Sequence, residues 1–428
     1  MEIEEELLTK IYDLRHRLHS IPEASMHETQ TKEMLMSFLK ENTDLEIVDR
    51  GAWFYAVLKS PNDRRGDENN DSDERRQIAE KSVKRPPIAF RADMDAVCGQ
   101  DGKPGHYCGH DGHSSILCGA AVVLSHAMEK CGNVQVGDRN YNSDEDCQTQ
   151  VKGCKCIDPV ESAVVGLGKV AFNRDIYFIF QPGEETGAGA KLCRELIAEK
   201  NIGEIYGLHN IPGYPRDHVL TIDGTFACAS TGLEIHMTGA ASHAAYPEAG
   251  KNPGPALARL LLEVEKLTEE YNRSGGFVRM TLIGMDVGSA NYGVAASEGT
   301  LRMTVRAERE KVFAAYVDEI KQLARTMADD GEFELDIQEI ERFPATENHA
   351  ENVDKLRKCA AKQNIVATEL AEPMRWSEDF GYYLQATNGA FFGVGDGEKY
   401  AQLHTAGFEF PDEIIETAVK MFVGLALM

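Results

Sequence analysis

The chain opens with apolar residues at helical spacing. Leu7, Ile11, Leu14 and Leu18 share one helix face, and Leu35, Phe38 and Leu39 share another; Pro22 separates the two helices over residues 4–40. Short apolar runs at 52–58, 87–92 and 175–181 read as buried strands, with a shorter strand at 204–208. Helices are predicted at 112–130 and at about 188–200. The alternation of strand and helix predicts an α/β layer with a mostly parallel sheet.

The pattern changes near residue 228. Period-two alternation at 231–237 is followed by a long helix at about 253–272, strands at 277–286 and 293–306, a helix at 310–329 and renewed alternation at 332–340. This β-α-β-β-α-β order is similar to a ferredoxin-like α+β unit. Residues 341–428 return to α/β character, with a helix at 350–363 and a strand at 389–394. The expected organisation is a discontinuous main domain, 1–227 and 341–428, carrying an inserted domain at 228–340. Two polar stretches, 62–86 and 132–158, read as exposed insertions. The second holds Cys147, Cys154 and Cys156, which read as loop thiols, with an extra metal site as the alternative.

Composition narrows the function classes. The 428 residues are 42% hydrophobic and 27% charged, which is globular usage. Forty-five basic against seventy acidic residues give a net charge of −25, which argues against a nucleic-acid partner and against an anionic membrane surface. The acidic start, Met1-Glu2-Ile3-Glu4, lacks the features of a secretory signal. No stretch approaches the roughly 20 apolar residues of a membrane span. Ten cysteines are too sparse for a disulfide scaffold, so a reducing cytoplasm is expected.

Candidate chemistry concentrates in Cys108-Gly109-His110-Asp111-Gly112-His113, placed after a predicted strand and at the start of a helix. Thiolate, imidazole and carboxylate are the side chains that hold zinc, and four such groups within six residues point to a metal. Distant loops must complete the ligand set. Gln181-Pro182-Gly183-Glu184-Glu185 caps the strand at 175–181, and its adjacent carboxylates call for a compensating cation. An acid-rich helix N-terminus is the alternative there. Gly207-Leu208-His209-Asn210 ends another strand, and Leu403-His404-Thr405 lies in a late loop; either histidine alone is as readily structural. Asp93, in Arg91-Ala92-Asp93-Met94-Asp95, also ends a strand. In open α/β sheets ligands bind beyond the carboxyl ends of the strands, so these segments can share one crevice.

Together with Leu18-His19-Ser20-Ile21-Pro22-Glu23 and Gly239-Ala240-Ala241-Ser242-His243-Ala244-Ala245-Tyr246-Pro247, these segments stand in the order of a known family. The chain resembles the aminoacylase, hippurate hydrolase and indole-acetyl-amino-acid hydrolase group of dinuclear metallopeptidases over nearly its whole length. The resemblance implies a zinc-peptidase-type catalytic domain with an inserted dimerisation lid, and two divalent metal ions, zinc or manganese or cobalt. It implies metal ligation by Cys108, His110, Glu185, His209 and His404. It implies Glu184 as general base, taking a proton from metal-bound water that attacks an amide carbonyl. His243 matches a histidine that reaches across a homodimer to the tetrahedral oxyanion. Asn291 is a second expected substrate contact. Arg302 is a candidate for gripping a substrate carboxylate, with a surface arginine on a strand as the alternative.

The sequence departs from the family at Cys98–Tyr107, where relatives carry a longer stretch, with proline common at the position of Cys98. The expected activity is hydrolysis of N-acyl amino acids to a carboxylate and a free amino acid. A dipeptidase, a carboxypeptidase or a diaminopimelate-type deacylase on the same scaffold is the alternative, and a non-catalytic binding protein the distant one. No Gly-x-Ser-x-Gly elbow supports a serine hydrolase, and Gly250-Lys251 is followed by Asn252, which breaks a phosphate-loop pattern.

Overall fold

The computed structural model describes residues 1–60, 85–99, 102–132, 164–165 and 173–428. Most of the polar stretches 62–86 and 132–158, with Cys147, Cys154 and Cys156, lies outside those residues. The apolar stripes fold as their spacing dictates. Leu7, Ile11, Leu14 and Leu18 are buried on α1 (Glu5–His19), and Leu35, Phe38 and Leu39 on α2 (Thr29–Asn42). β1 (Glu46–Asp49), β2 (Phe54–Leu58) and β3 (Ile88–Asp93) follow. α3 (His110–Gly132) is buried all round over 110–125, as a helix apolar on every side must be. After β4 (Ile176–Gln181) the predicted helix at 188–200 is two short ones, α4 (Gly189–Cys193) and α5 (Glu195–Glu199). The ladder breaks at Arg194, whose carbonyl takes the Ile197 N–H in a tight i→i+3 turn. β5 (Glu204–Pro212) runs four residues beyond its predicted end, and β6 (Val219–Thr221) comes next.

Residues 229–343 then form a second layer. β7 (Ala229–Thr238), α6 (Gly254–Arg273), β8 (Val278–Val287), β9 (Glu298–Ala307), α7 (Glu310–Gly331) and β10 (Glu334–Phe343) give an antiparallel sheet in the order β8-β9-β7-β10. Leu233, Ile235 and Met237 of β7 alternate inward with Leu301, Met303 and Val305 of β9, packing on Leu257 and Leu260 of α6 and on Phe313 and Tyr316 of α7. The other face carries Glu234, His236 and Arg302, as period-two alternation requires. β8 is an edge strand, with Leu282, Ile283 and Val287 exposed.

The chain returns to the first layer through α8 (Ala350–Lys362), β11 (Ala367–Glu369), β12 (Asn388–Gly397) and α9 (Ile415–Ala426). The main sheet has eight strands in the order β11-β6-β12-β5-β3-β4-β2-β1. Its central four, β12, β5, β3 and β4, are parallel to one another, and antiparallel pairs flank them. Both faces are covered. On β4, Ile176, Phe178 and Phe180 join the core built by α1, α2, α3 and α9, whereas Tyr177 and Ile179 join the core on the opposite face. That is why this strand reads as an unbroken apolar run. The four parallel strands end along one edge, and the candidate residues collect there.

Candidate metal centre

Register fixes the positions of the first residues. Asp93 at the end of β3 pairs with Gln181 at the end of β4, and His209 of β5 stands opposite Gly393 of β12. The loop after β4 carries Glu184 and Glu185 over the same edge, and α3 begins there at His110. Gly109 makes this junction possible. Its φ is +100°, and a Cβ would lie 2.6 Å from Asn210 Oδ1, so no side chain fits between α3 and β5.

The structure brings Cys108, His110, Glu184, Glu185, His209 and His404 together. Cys108 Sγ lies 3.4 Å from His209 Nε2 and 3.3 Å from His404 Nε2. His404 Nε2 is 3.4 Å from Glu185 Oε1, and His110 Nε2 is 3.8 Å from the same oxygen and 3.9 Å from Glu184 Oε2. Tetrahedral bonds of 2.0–2.3 Å place donor atoms roughly 3.3–3.8 Å apart, so these spacings suit a shared cation. Two donor groups, Cys108-His110-His209 and Cys108-Glu185-His404, have Cys108 in common, which fits a pair of ions. His110 Nε2 and Glu185 Oε1 are buried without a hydrogen-bond partner, as ligand atoms reserved for a metal would be.

Supporting contacts aim the donors. His209 Nδ1–H donates to the Asn210 carbonyl at 2.7 Å, which leaves Nε2 as the lone-pair nitrogen. His110 Nδ1 lies 3.1 Å from Asp95 Oδ1, and Asp95 is itself fixed by Ser25 Oγ at 2.6 Å and by the Glu185 N–H at 3.0 Å. His404 adopts a left-handed φ of 61°, anchored by its N–H on the Tyr107 carbonyl. His113 is different. Its nitrogens are taken up by Asp93 Oδ1 and Asn210 Oδ1, both at 2.8 Å, so it positions the floor of the site.

Behind Glu184 lies a buried cluster that joins Asp93 to acids the sequence pattern does not pick out. Arg91 contacts Asp93 at 2.9 Å, Glu378 at 3.0 Å and Asp379 at 2.8 Å, and its Nε donates to Gln181. The Asp379 N–H reaches Glu184 Oε1 at 3.4 Å. The adjacent acids Glu378 and Asp379 were the available signal, of the same kind as Glu184 and Glu185. Burial, reinforced by Glu378 and Glu185, pushes the Glu184 carboxyl well above the usual carboxylate range. Burial also raises Glu378, to about 8, against the pull of Arg91. The close contacts with Cys108 and Glu185 lift His404 to about 10.

The three residues expected from the second layer sit elsewhere. His243 is exposed, its Nδ1 accepting the Ala245 N–H, on a two-residue ladder with Val294 and Ala295. Asn291 is exposed just before that ladder. Arg302 lies on β9, where it hydrogen-bonds Glu234 and Asp286. None of the three lines the cavity over Cys108 and Glu184.

Residues 165–428 match the sequence profile of peptidase family M20/M25/M40. The chain belongs to this family. It is similar to the N-acetylcysteine deacetylase of Bacillus subtilis, at 22% identity over 98% of this chain and 97% of that protein. It is also similar to the N-acetyldiaminopimelate deacetylase of Leuconostoc mesenteroides, at 26% identity over 74% and 75% of the two chains. A solved Bacillus subtilis structure, described as a dinuclear metal-binding peptidase of the M20 family, superposes over 99% of this chain and 98% of its own, with a TM-score of 0.70 and 20% identity. The α/β fold and the status of a family M20 hydrolase follow. Among the described residues no helix is long and apolar enough to cross a membrane.

Proposed function

We propose that the protein is a metal-dependent amidohydrolase that cleaves N-acyl amino acids to a carboxylate and a free amino acid. One observation carries the reading: a buried carboxyl, Glu184, stands beside two donor groups that share Cys108, inside a cavity of about 370 Å³. Cys108, His110, Glu185, His209 and His404 would hold two divalent ions; the thiolate favours zinc, and the oxygen and imidazole donors also suit manganese or cobalt. Ions there would supply Lewis acidity to an amide carbonyl and to water. Glu184 takes the proton of the attacking water and returns it to the leaving nitrogen, a role for which a raised pKa is suited. Asp379 N–H and the Arg91 cluster hold that carboxyl in place.

The reading includes a homodimer through the open edge of β8, in which His243 of a second copy reaches the oxyanion, Asn291 is a further substrate contact and Arg302 exchanges its present partners for a substrate carboxylate. The exposed Leu282, Ile283 and Val287 support it. A cytoplasmic location is supported by Cys98, Cys108, Cys118, Cys193, Cys228 and Cys359, which are free thiols. The test is release of amino acid from acyl amino acids and, separately, from dipeptides by the metal-loaded protein. Glu184→Gln should lower kcat by about 10²–10⁴-fold with metal content unchanged. Unchanged activity would remove Glu184 as the base, and release from dipeptides alone would make the protein a peptidase.

A further inference from the structure

The segment between α1 and α2 lies beside the site, and no step of the proposed reaction uses it. Within it Glu28 is a buried acid whose Oε1 accepts two backbone N–H groups, from Met26 at 2.8 Å and from Gly183 at 2.7 Å. Burial and the neighbouring Asp95 raise this carboxyl to about 7, so the fold keeps it there at a cost. Three residues earlier, Ser25 Oγ donates to Asp95 Oδ2 at 2.6 Å, and the same oxygen accepts the Glu185 N–H at 3.0 Å. The turn is fastened just beyond β3, where the Ala96 N–H donates to the Glu23 carbonyl at 2.8 Å. One turn, residues 23–28, thus reaches the peptide N–H on each side of Glu184.

Glu184 needs such a hold. Among the described residues its carboxyl accepts one hydrogen bond, the long one from Asp379 N–H at 3.4 Å. A group that takes and returns a proton cannot be tied down at both oxygens, so its backbone must carry the precision. Gly183 is where that backbone turns. Its φ is +58°, and a Cβ would lie 2.6 Å from Met26 Sδ. Its carbonyl accepts the N–H groups of Ala188 and Gly189 at 3.2 and 3.1 Å, and the bond to Glu28 fixes its other side. Ser25, Met26 and Glu28 lie outside the residues that line the cavity. These bonds are therefore made away from the space that ions and substrate would occupy.

Resting on the reading of Glu184 as general base, we infer that Glu28 is a positioning residue for this reaction: it fixes the Gly183 peptide and, through it, the place of the Glu184 carboxyl. It acts on neither substrate nor donor atoms directly. Ser25 serves the following peptide through Asp95, but Asp95 also holds His110. Glu28 is the branch of the turn that serves the base without contacting a donor.

The experiment compares Glu28→Met, Glu28→Gln and Glu23→Ala with the wild type and with Glu184→Gln, each as the zinc-loaded full chain. Glu28→Met keeps the length of the side chain and removes the acceptor. It should lower kcat about 10²-fold, with KM within about threefold and metal content unchanged. Glu28→Gln keeps an acceptor oxygen and should recover to within about fivefold of the wild type. Glu23→Ala controls for structure alone, because the Glu23 carboxylate holds the Gln30 and Thr31 N–H groups at the start of α2. Its melting temperature should fall while kcat per folded molecule stays within about twofold. Amide hydrogen exchange over residues 182–187 needs no substrate. Exchange there should be at least about tenfold faster in Glu28→Met and within about threefold of the wild type in Glu28→Gln and Glu23→Ala. Should Glu28→Met fail to fold, Gly183→Ala disturbs the same peptide from the other side and should show the same loss of kcat. Unchanged kcat in either variant, or unchanged exchange in Glu28→Met, overturns the inference while Glu184→Gln stays inactive. Metal lost in step with activity also overturns it, by moving the role to the donors. Full activity in Glu184→Gln overturns the base and this inference with it.

Discussion

The central sheet buries charge at both ends, and the two ends are built on opposite accounts. At the amino end, Glu204 of β5 is enclosed by Arg174, by Lys355 at 2.5 Å, by Tyr206 OH at 3.0 Å and by Asn352 at 3.1 Å. One carboxylate meets three cations, Arg174, Lys355 and, at 4.0 Å, Arg85, and the Lys355 and Arg174 contacts overcome burial to hold Glu204 below its ordinary pKa. At the carboxyl end, Asp93, Glu378 and Asp379 contact Arg91, Asp95, Glu184 and Glu185 face the histidines, and burial pushes Glu184, Glu378 and Asp379 upward. A cluster whose carboxylate is already matched by cations is a clamp. A cluster with surplus carboxylates and free imidazoles is a site that draws its remaining cations from outside.

Metal removal should give the largest contrast. Chelation should abolish hydrolysis, by more than about 10³-fold, and lower the melting temperature by several degrees. Ions at 100 times their Kd contribute about 2.7 kcal/mol. Restoring zinc or manganese should reverse both. Elemental analysis finding no bound metal in active protein would end the distinction between the two clusters. Glu204→Gln comes next. It leaves Arg174 buried without its partner and should cost about 3 kcal/mol in denaturant unfolding, with metal content and kcat per folded molecule nearly unchanged. A loss of metal in that variant would show the two ends to be coupled.

The smallest effect is a pH effect at Asp396, whose contact with Asn210 continues the chain from His113. Burial raises its carboxyl from 3.8 to about 7, against the Asn210 hydrogen bond. The folded protein thus keeps this proton to higher pH than the unfolded chain does. The contribution to stability is full below pH 4 and is lost as pH rises through 7. Asp396→Asn should therefore gain on the wild type between pH 4 and 8, on the order of 2 kcal/mol. Parallel melting curves across that range would refute the assignment.

The fold was legible where one face of an element sees one environment. The stripe of α1 and the alternation of β7 and β9 announce themselves, and β4 does so because both its faces are buried. β6 and β11 are three residues each and exist through their pairing, which no local pattern encodes. Of the site, the metal donors were visible because thiol, imidazole and acid crowd into few residues. Arg91, Glu378 and Asp379 were not, because their meaning depends on contacts across 288 residues of chain. Trp376 reads as an ordinary core aromatic until the backbone bonds of Met374 and Cys228 set it beside His209.

The placement of β12 has a consequence for synthesis. This strand lies between β5 and β6, which precede it by more than 150 residues, and His404 follows it. A growing chain that has made β3, β4, β5 and the whole second layer still has a gap in its sheet and an incomplete donor set. Its early acids and Cys108 emerge from the ribosome long before the segment that aligns them. Activity should therefore arise late and all at once during translation, and chains released before residue 404 should be inert whatever metal surrounds them.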